Sequence, residues 1–238
     1  MPQPTRSAVP PALVALVAPD SGMERQARIG GVRLAFLIAF ACAVLAAFGQ
    51  SWKVDAKAAT LKKLEQAGQL ATISDRQLQD DTRSAERIYQ VARVAQGLFE
   101  APVNLGLGCL AVLGLCWFLR GKAKGRAVAP VAAAVLLPGA IANLLDAVTA
   151  LQHPSLPPEA TVLAPRNLSA IAAAFGHPLA GPFLKLGNAF DFFSLWAAVL
   201  MGFGVAAAGE LPTRRAIIVT LAAWVCLRLL TSVAMGGP

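Results

Sequence analysis

Three ionisable residues sit inside long apolar runs of this chain: Asp146, Asp191 and Arg228. A charge in hydrocarbon is costly and rare, so each is a default candidate for function through ion pairing, proton exchange or binding of a charged substrate. At about 1.5 Å per residue, Asp146 lies about 27 Å from the start of its run and Asp191 about 27 Å from the end of its own. Arg228 lies about 20 Å beyond Arg215. If the runs are membrane spans, all three fall toward the outer leaflet, and an arginine covers the remaining offset by snorkelling. They make an expected intramembrane polar cluster in which Arg228 pairs with Asp191, Asp146 or both. Two roles are open to it. One is an ion pair fixing helix register, with Asp191 also capping the helix after it. The other is a substrate or proton site, which needs an aqueous path.

Other residue types offer less. His153 and His177 each precede a proline in one connector and read as polar loop residues. Cys42, Cys109, Cys116 and Cys226 all lie in apolar stretches without metal-ligand spacing, as small hydrophobes of packed helices do. No nucleophile elbow, Ser–Lys pair, HExxH or CxxC is present. The Gly106/Gly108 and Gly202/Gly204 pairs, with Gly114, lie in apolar helices and read as packing positions rather than phosphate loops. No catalytic residue, metal or cofactor is expected, and the chain reads as non-enzymatic.

The elements that carry these residues follow from composition. The 238 residues are 56% hydrophobic and 14% charged, and mean hydropathy is +0.59. A soluble domain carries about 25% charged residues, so a soluble globular or disordered chain is excluded. Runs near 20 apolar residues read as membrane spans. Five are expected, over 32–48, 102–119, 127–152, 189–208 and 216–235. The fold class is therefore all-α, a polytopic helical bundle over residues 31–236. Residues 1–30 read as a mobile cytoplasmic tail rich in Pro and Ala. Residues 53–100 read as an amphipathic extracytoplasmic helical hairpin. Ser74 and Gln77 form a capping box for a helix starting at Asp75. In the third span, Pro130 and Pro138 predict a bend. In the connector after it, Asn167 reads as the N-cap of a short apolar helix over 168–175.

The net charge of +8 resolves by location. Arg120, Lys122, Lys124 and Arg126 crowd the loop between spans two and three, and Arg214 and Arg215 sit between spans four and five. Arg6, Arg25, Arg28 and Arg33 fall in or just after the tail. With five spans, all three groups share one side, which the positive-inside rule makes cytoplasmic. The 53–100 segment holds eight cations against seven acids and weighs less. The expected location is a bacterial plasma membrane, with the first segment cytoplasmic and the last extracytoplasmic. A nucleic-acid partner is not expected, because the basic loop is short and lacks aromatic residues.

The stretch Leu186-Gly-Asn-Ala-Phe-Asp191-Phe-Phe-Ser-Leu-Trp196, running into a small-residue span, resembles the bacterial branch of the Yip family, membrane proteins named for interaction with Ypt/Rab GTPases. The basic loop at Thr213–Ala216, Trp224, the segment from Ile73 to Leu107 and Gly121-Lys122 are similar as well. The resemblance implies a five-span domain with a cytoplasmic N-terminal side. Its eukaryotic branch implies trafficking and GTPase binding. This chain lacks an Asp-Leu-Tyr-Gly-Pro element before span one, and its sole tyrosine is Tyr89. Small-GTPase binding is therefore not expected to carry over. The expected partners are the lipid bilayer and other membrane proteins or a second copy. The expected function is organisation of membrane or partner proteins; the alternative is a small transporter or channel subunit using the Asp/Arg cluster.

Overall fold

A computed structural model describes residues 9–68, 73–156 and 163–234. Among them there are helices and two isolated bridge pairs, but no strand. In chain order the helices are α1 (Pro11–Val17), α2 (Pro19–Ile29), α3 (Arg33–Ser51), α4 (Ala56–Gln66) and α5 (Asp75–Phe118). They continue as α6 (Gly125–Gln152), α7 (Leu168–Ala174), α8 (Pro182–Ala189), α9 (Phe192–Gly209) and α10 (Thr213–Ala234). Four are long and apolar enough to cross a membrane, namely α3, α5, α6 and α9, and they point to a membrane protein. The expected fifth span, 216–235, falls on α10, and its last residue lies outside the described ones.

Two compact units share the chain. Unit 1 comprises residues 1–39, 102–141 and 165–238; unit 2 comprises 40–101 and 142–164. Unit 1 is built on close helix contacts. Val112 and Cys116 of α5, Val131 of α6 and Val205 of α9 are fully buried together. Small residues set the spacing, because without a hydrophobic effect between helix and lipid the gain comes from tight packing. A Cβ at Gly202 would lie 2.8 Å from the Ile217 Cα of α10, and one at Gly204 would overlap Val131. Gly108 approaches Ala132 in the same way, at 3.2 Å. Gly106 and Gly114 do not share this role: both face open space.

The first segment differs from the expected mobile tail. Residues 11–29 form α1 and α2, whose Ala12, Ala15 and Met23 are buried with Leu137 and Leu200. The prolines that suggest a loop are Pro11 and Pro19, and each occupies the first turn of its helix. There the missing N–H costs nothing and the fixed φ favours the helix. Gln26 fastens the pair: its buried Nε2 donates to the carbonyl oxygens of Gly31 (3.2 Å) and Pro130 (3.0 Å). Residues 1–8 of the expected tail lie outside the described residues.

Unit 2 also departs from expectation. A helix does start at Asp75, with the Gln77 N–H donating to Ser74 Oγ at 3.3 Å. It does not stop before a separate span at 102 but runs 44 residues, through Pro102. An interior proline costs about 3 kcal/mol. Packing on the preceding turn opposes that cost: Ala101 is buried, and a Cβ at Gly97 would lie 2.5 Å from Ala47 Cβ of α3. Likewise α6 is one helix through both Pro130 and Pro138. Ahead of α5, α4 is capped by Asp55 Oδ1, which accepts the Ala58 N–H at 2.9 Å.

Candidate functional site

The three expected cluster residues are divided between the units: Asp146 belongs to unit 2, Asp191 and Arg228 to unit 1.

Asp146 is 2% exposed on α6. Its Oδ1 accepts the backbone N–H groups of Leu163 (3.1 Å) and Ala164 (2.8 Å). The carboxylate thus ties the returning chain to the helix, and charge-assisted bonds of this kind are about twice as strong as neutral ones. One turn earlier, Asn143 Nδ2 donates to Glu100 Oε1 of α5 at 2.7 Å. Gln50, Arg93 and Gln96 border the same cavity, whose volume is about 40 Å³. That is room for about one water molecule. Sequence reading missed Glu100, Arg93 and Gln50, although a signal was there. Residues 93, 96, 97 and 100 recur at helical spacing on α5, as 143 and 146 do on α6.

Asp191 stands just before α9 and caps it: Oδ1 accepts the Phe193 N–H at 2.9 Å. Its backbone carbonyl also accepts the Ser194 hydroxyl at 2.9 Å. The cation beside it is Arg166, with Nε 3.8 Å from Oδ2, rather than Arg228. A backbone bridge explains why: the Phe192 N–H donates to the Arg166 carbonyl and the Leu168 N–H to the Phe190 carbonyl, both at 3.0 Å. This pair of bonds brings the connector alongside Asp191. Asn167 caps α7 as expected, its Oδ1 accepting the Ala170 N–H at 2.8 Å. Arg228 lies over the Trp224 ring, 5.8 Å from its centroid. Trp224 in turn meets Phe190 edge-on at 5.5 Å. A cation over an indole face is worth about 0.5–2 kcal/mol, which gives the arginine an alternative to a carboxylate.

No family model matches this chain, and neither a curated protein nor a solved structure matches it. Site chemistry therefore rests on geometry. Among the described residues no group of three His, Cys, Asp or Glu could hold a metal.

A third polar region joins the basic loops in unit 1. The Lys122 N–H donates to the Gly209 carbonyl (3.2 Å) and the Lys124 N–H to the Ala208 carbonyl (3.0 Å). Lys124 also pairs with Glu210. The hydrogen bond from Lys124, reinforced by its charge, holds the Glu210 carboxyl below its ordinary pKa. The loop of Arg120, Lys122, Lys124 and Arg126 is thereby stapled to the turn that leads to Arg214 and Arg215. Both helix ends there use left-handed residues, Arg120 (φ 59°) and Glu210 (φ 53°), which close the last turns. A cavity of about 360 Å³ opens beside this staple, bordered also by Asp20, Glu24 and Arg28 of α2.

Proposed function

We propose that the chain is a non-enzymatic, five-span membrane protein of the bacterial Yip type that organises the membrane or its protein partners. On this reading α10 is the fifth span and the joined basic loops face the cytoplasm. Their hydrogen bonds support this assignment, since loops bonded to each other lie on one side of any bilayer. The Asp191-Phe-x-Ser-x-Trp element is accounted for by capping of α9, a structural use that suits a scaffold.

The observation that carries the reading is the use made of Asp146. A carrier needs its intramembrane acid open to an aqueous path, whereas this residue is 2% exposed and its carboxylate accepts two backbone N–H groups. Affinity purification in mild detergent, with identification of co-purifying proteins, is the test. Reproducible membrane-protein partners support the scaffold. Recovery of a self-oligomer alone, together with ion flux in liposomes, overturns it. The second reading, a small transporter or channel subunit, draws on Gln50, Glu100 and Asn143, polar residues on three apolar helices of unit 2.

A further inference from the structure

We propose that unit 1 carries a binding site for the headgroup of a zwitterionic phospholipid bearing a phosphate and a primary ammonium, as phosphatidylethanolamine does. The site is the cavity of about 360 Å³ between α2, the start of α6 and the turn joining α9 to α10. Six charged side chains border it: Asp20, Glu24, Arg28, Lys124, Arg126 and Glu210. Four of them pair off, Arg28 with Glu24 at 2.5 Å and Lys124 with Glu210. Asp20 and Arg126 have no ion-pair partner among the described residues, so one acid and one base remain on the wall.

That balance selects the ligand. A simple anion meets three carboxylates and a simple cation meets three bases, whereas a zwitterion offers each sign its complement. Arg126 suits the phosphate because guanidinium binds phosphate through paired donors. The hydroxyl of Thr213, also on the wall, adds a donor. Asp20 suits the ammonium, since a carboxylate only accepts hydrogen bonds and a primary ammonium supplies three. A quaternary choline supplies none. Phe203 and Ala206 of α9 add apolar lining. The cavity lies at the Gly209 end of a membrane-length helix, which on the span reading is headgroup level. The proposal rests on the reading of α9 as a membrane span.

The test uses the full chain in detergent, with native mass spectrometry of retained lipid. Phosphatidylethanolamine, phosphatidylcholine and phosphatidylglycerol are offered at equal concentration, and soluble glycerophosphoethanolamine is offered separately. Phosphatidylethanolamine should be retained over each of the other two lipids by on the order of tenfold, the worth of one charge-assisted hydrogen bond. Arg126→Gln and Asp20→Asn, both at exposed positions, should each lower that retention similarly. Asp20→Asn should also raise retention of phosphatidylglycerol. Equal retention of all three lipids overturns the proposal, as does preference for phosphatidylglycerol by the unaltered chain or retention unchanged in both variants. Saturable binding of the soluble headgroup at the lipid's affinity assigns the site to a free metabolite and overturns it too. Carbonate extraction of cell membranes tests the span reading separately: release of the chain defeats that reading, whereas a chain that stays with the membrane but shows no lipid preference defeats only this proposal.

Discussion

Asp146 in unit 2 and Asp191 in unit 1 hold their surroundings by different means. Asp146 is almost fully buried, and its carboxylate accepts two backbone N–H groups distant in sequence. Asp191 is partly exposed, caps its own helix and stands beside Arg166. The difference extends to what surrounds each. Around Asp146 lie further polar side chains, Asn143, Glu100 and Gln50. The core of unit 1 is made of Val112, Val131, Leu200 and Val205, with Gln26, Ser169 and Thr220 as its buried polar side chains among the described residues. An acid inside an apolar run is therefore no single signal. One such residue holds a loop in place, and another starts a helix.

The sharpest way to break this contrast is to remove both carboxylates in turn. Asp146→Leu leaves the N–H groups of Leu163 and Ala164 without their acceptor and should cost on the order of 2–5 kcal/mol. Asp191→Ala loses mainly a cap, about 1 kcal/mol. Thermal unfolding in detergent, followed by circular dichroism, compares the two. Equal losses would remove the distinction.

Glycine substitutions come next. Gly202→Ala places a Cβ 2.8 Å from the Ile217 backbone and should destabilise by about 1–3 kcal/mol. Gly106→Ala and Gly114→Ala meet open space and should gain about 0.5–1 kcal/mol from helix propensity. The same melts decide, and a loss at Gly114 would mean that this face packs against something.

Arg228→Ala is smaller. Loss of the Trp224 contact should cost about 0.5–1 kcal/mol, whereas breaking a buried ion pair would cost about 3–5 kcal/mol. The smallest effect belongs to Glu210. Its lowered pKa means that its contribution is present above the unfolded carboxylate value and is lost as pH falls through the lower, folded one. An acid titration of the melting temperature should show this limb, and Glu210→Gln should flatten it.

Much of the fold was legible because it follows from run length and caps. Four membrane-length helices, the Ser74 cap, the Asn167 cap and the Asp191 cap all depend on local chemistry. What stayed hidden depends on tertiary support. Pro11 and Pro19 look like loop residues unless a following helix has somewhere to dock. Pro102 looks like a boundary unless the turn before it is packed. The α8 helix starts at Pro182, after Gly181 at φ 57°, a left-handed turn whose use in starting a helix goes beyond composition. The partners of the three charged residues were the least legible, because depth along a helix leaves open which face a residue occupies. Arg166 reaches Asp191 through a backbone bridge that no spacing announces.

On the proposed reading the chain spans a membrane with its basic loops together on the cytoplasmic side. The direct measurement is labelling of single cysteines by an impermeant maleimide, in a background where Cys42, Cys109, Cys116 and Cys226 are alanine. Lys122→Cys and Thr213→Cys should label only in inside-out vesicles, and Lys57→Cys and His177→Cys only in right-side-out ones. Labelling of Lys122→Cys and Thr213→Cys from opposite sides, or of all four from both, would contradict the account.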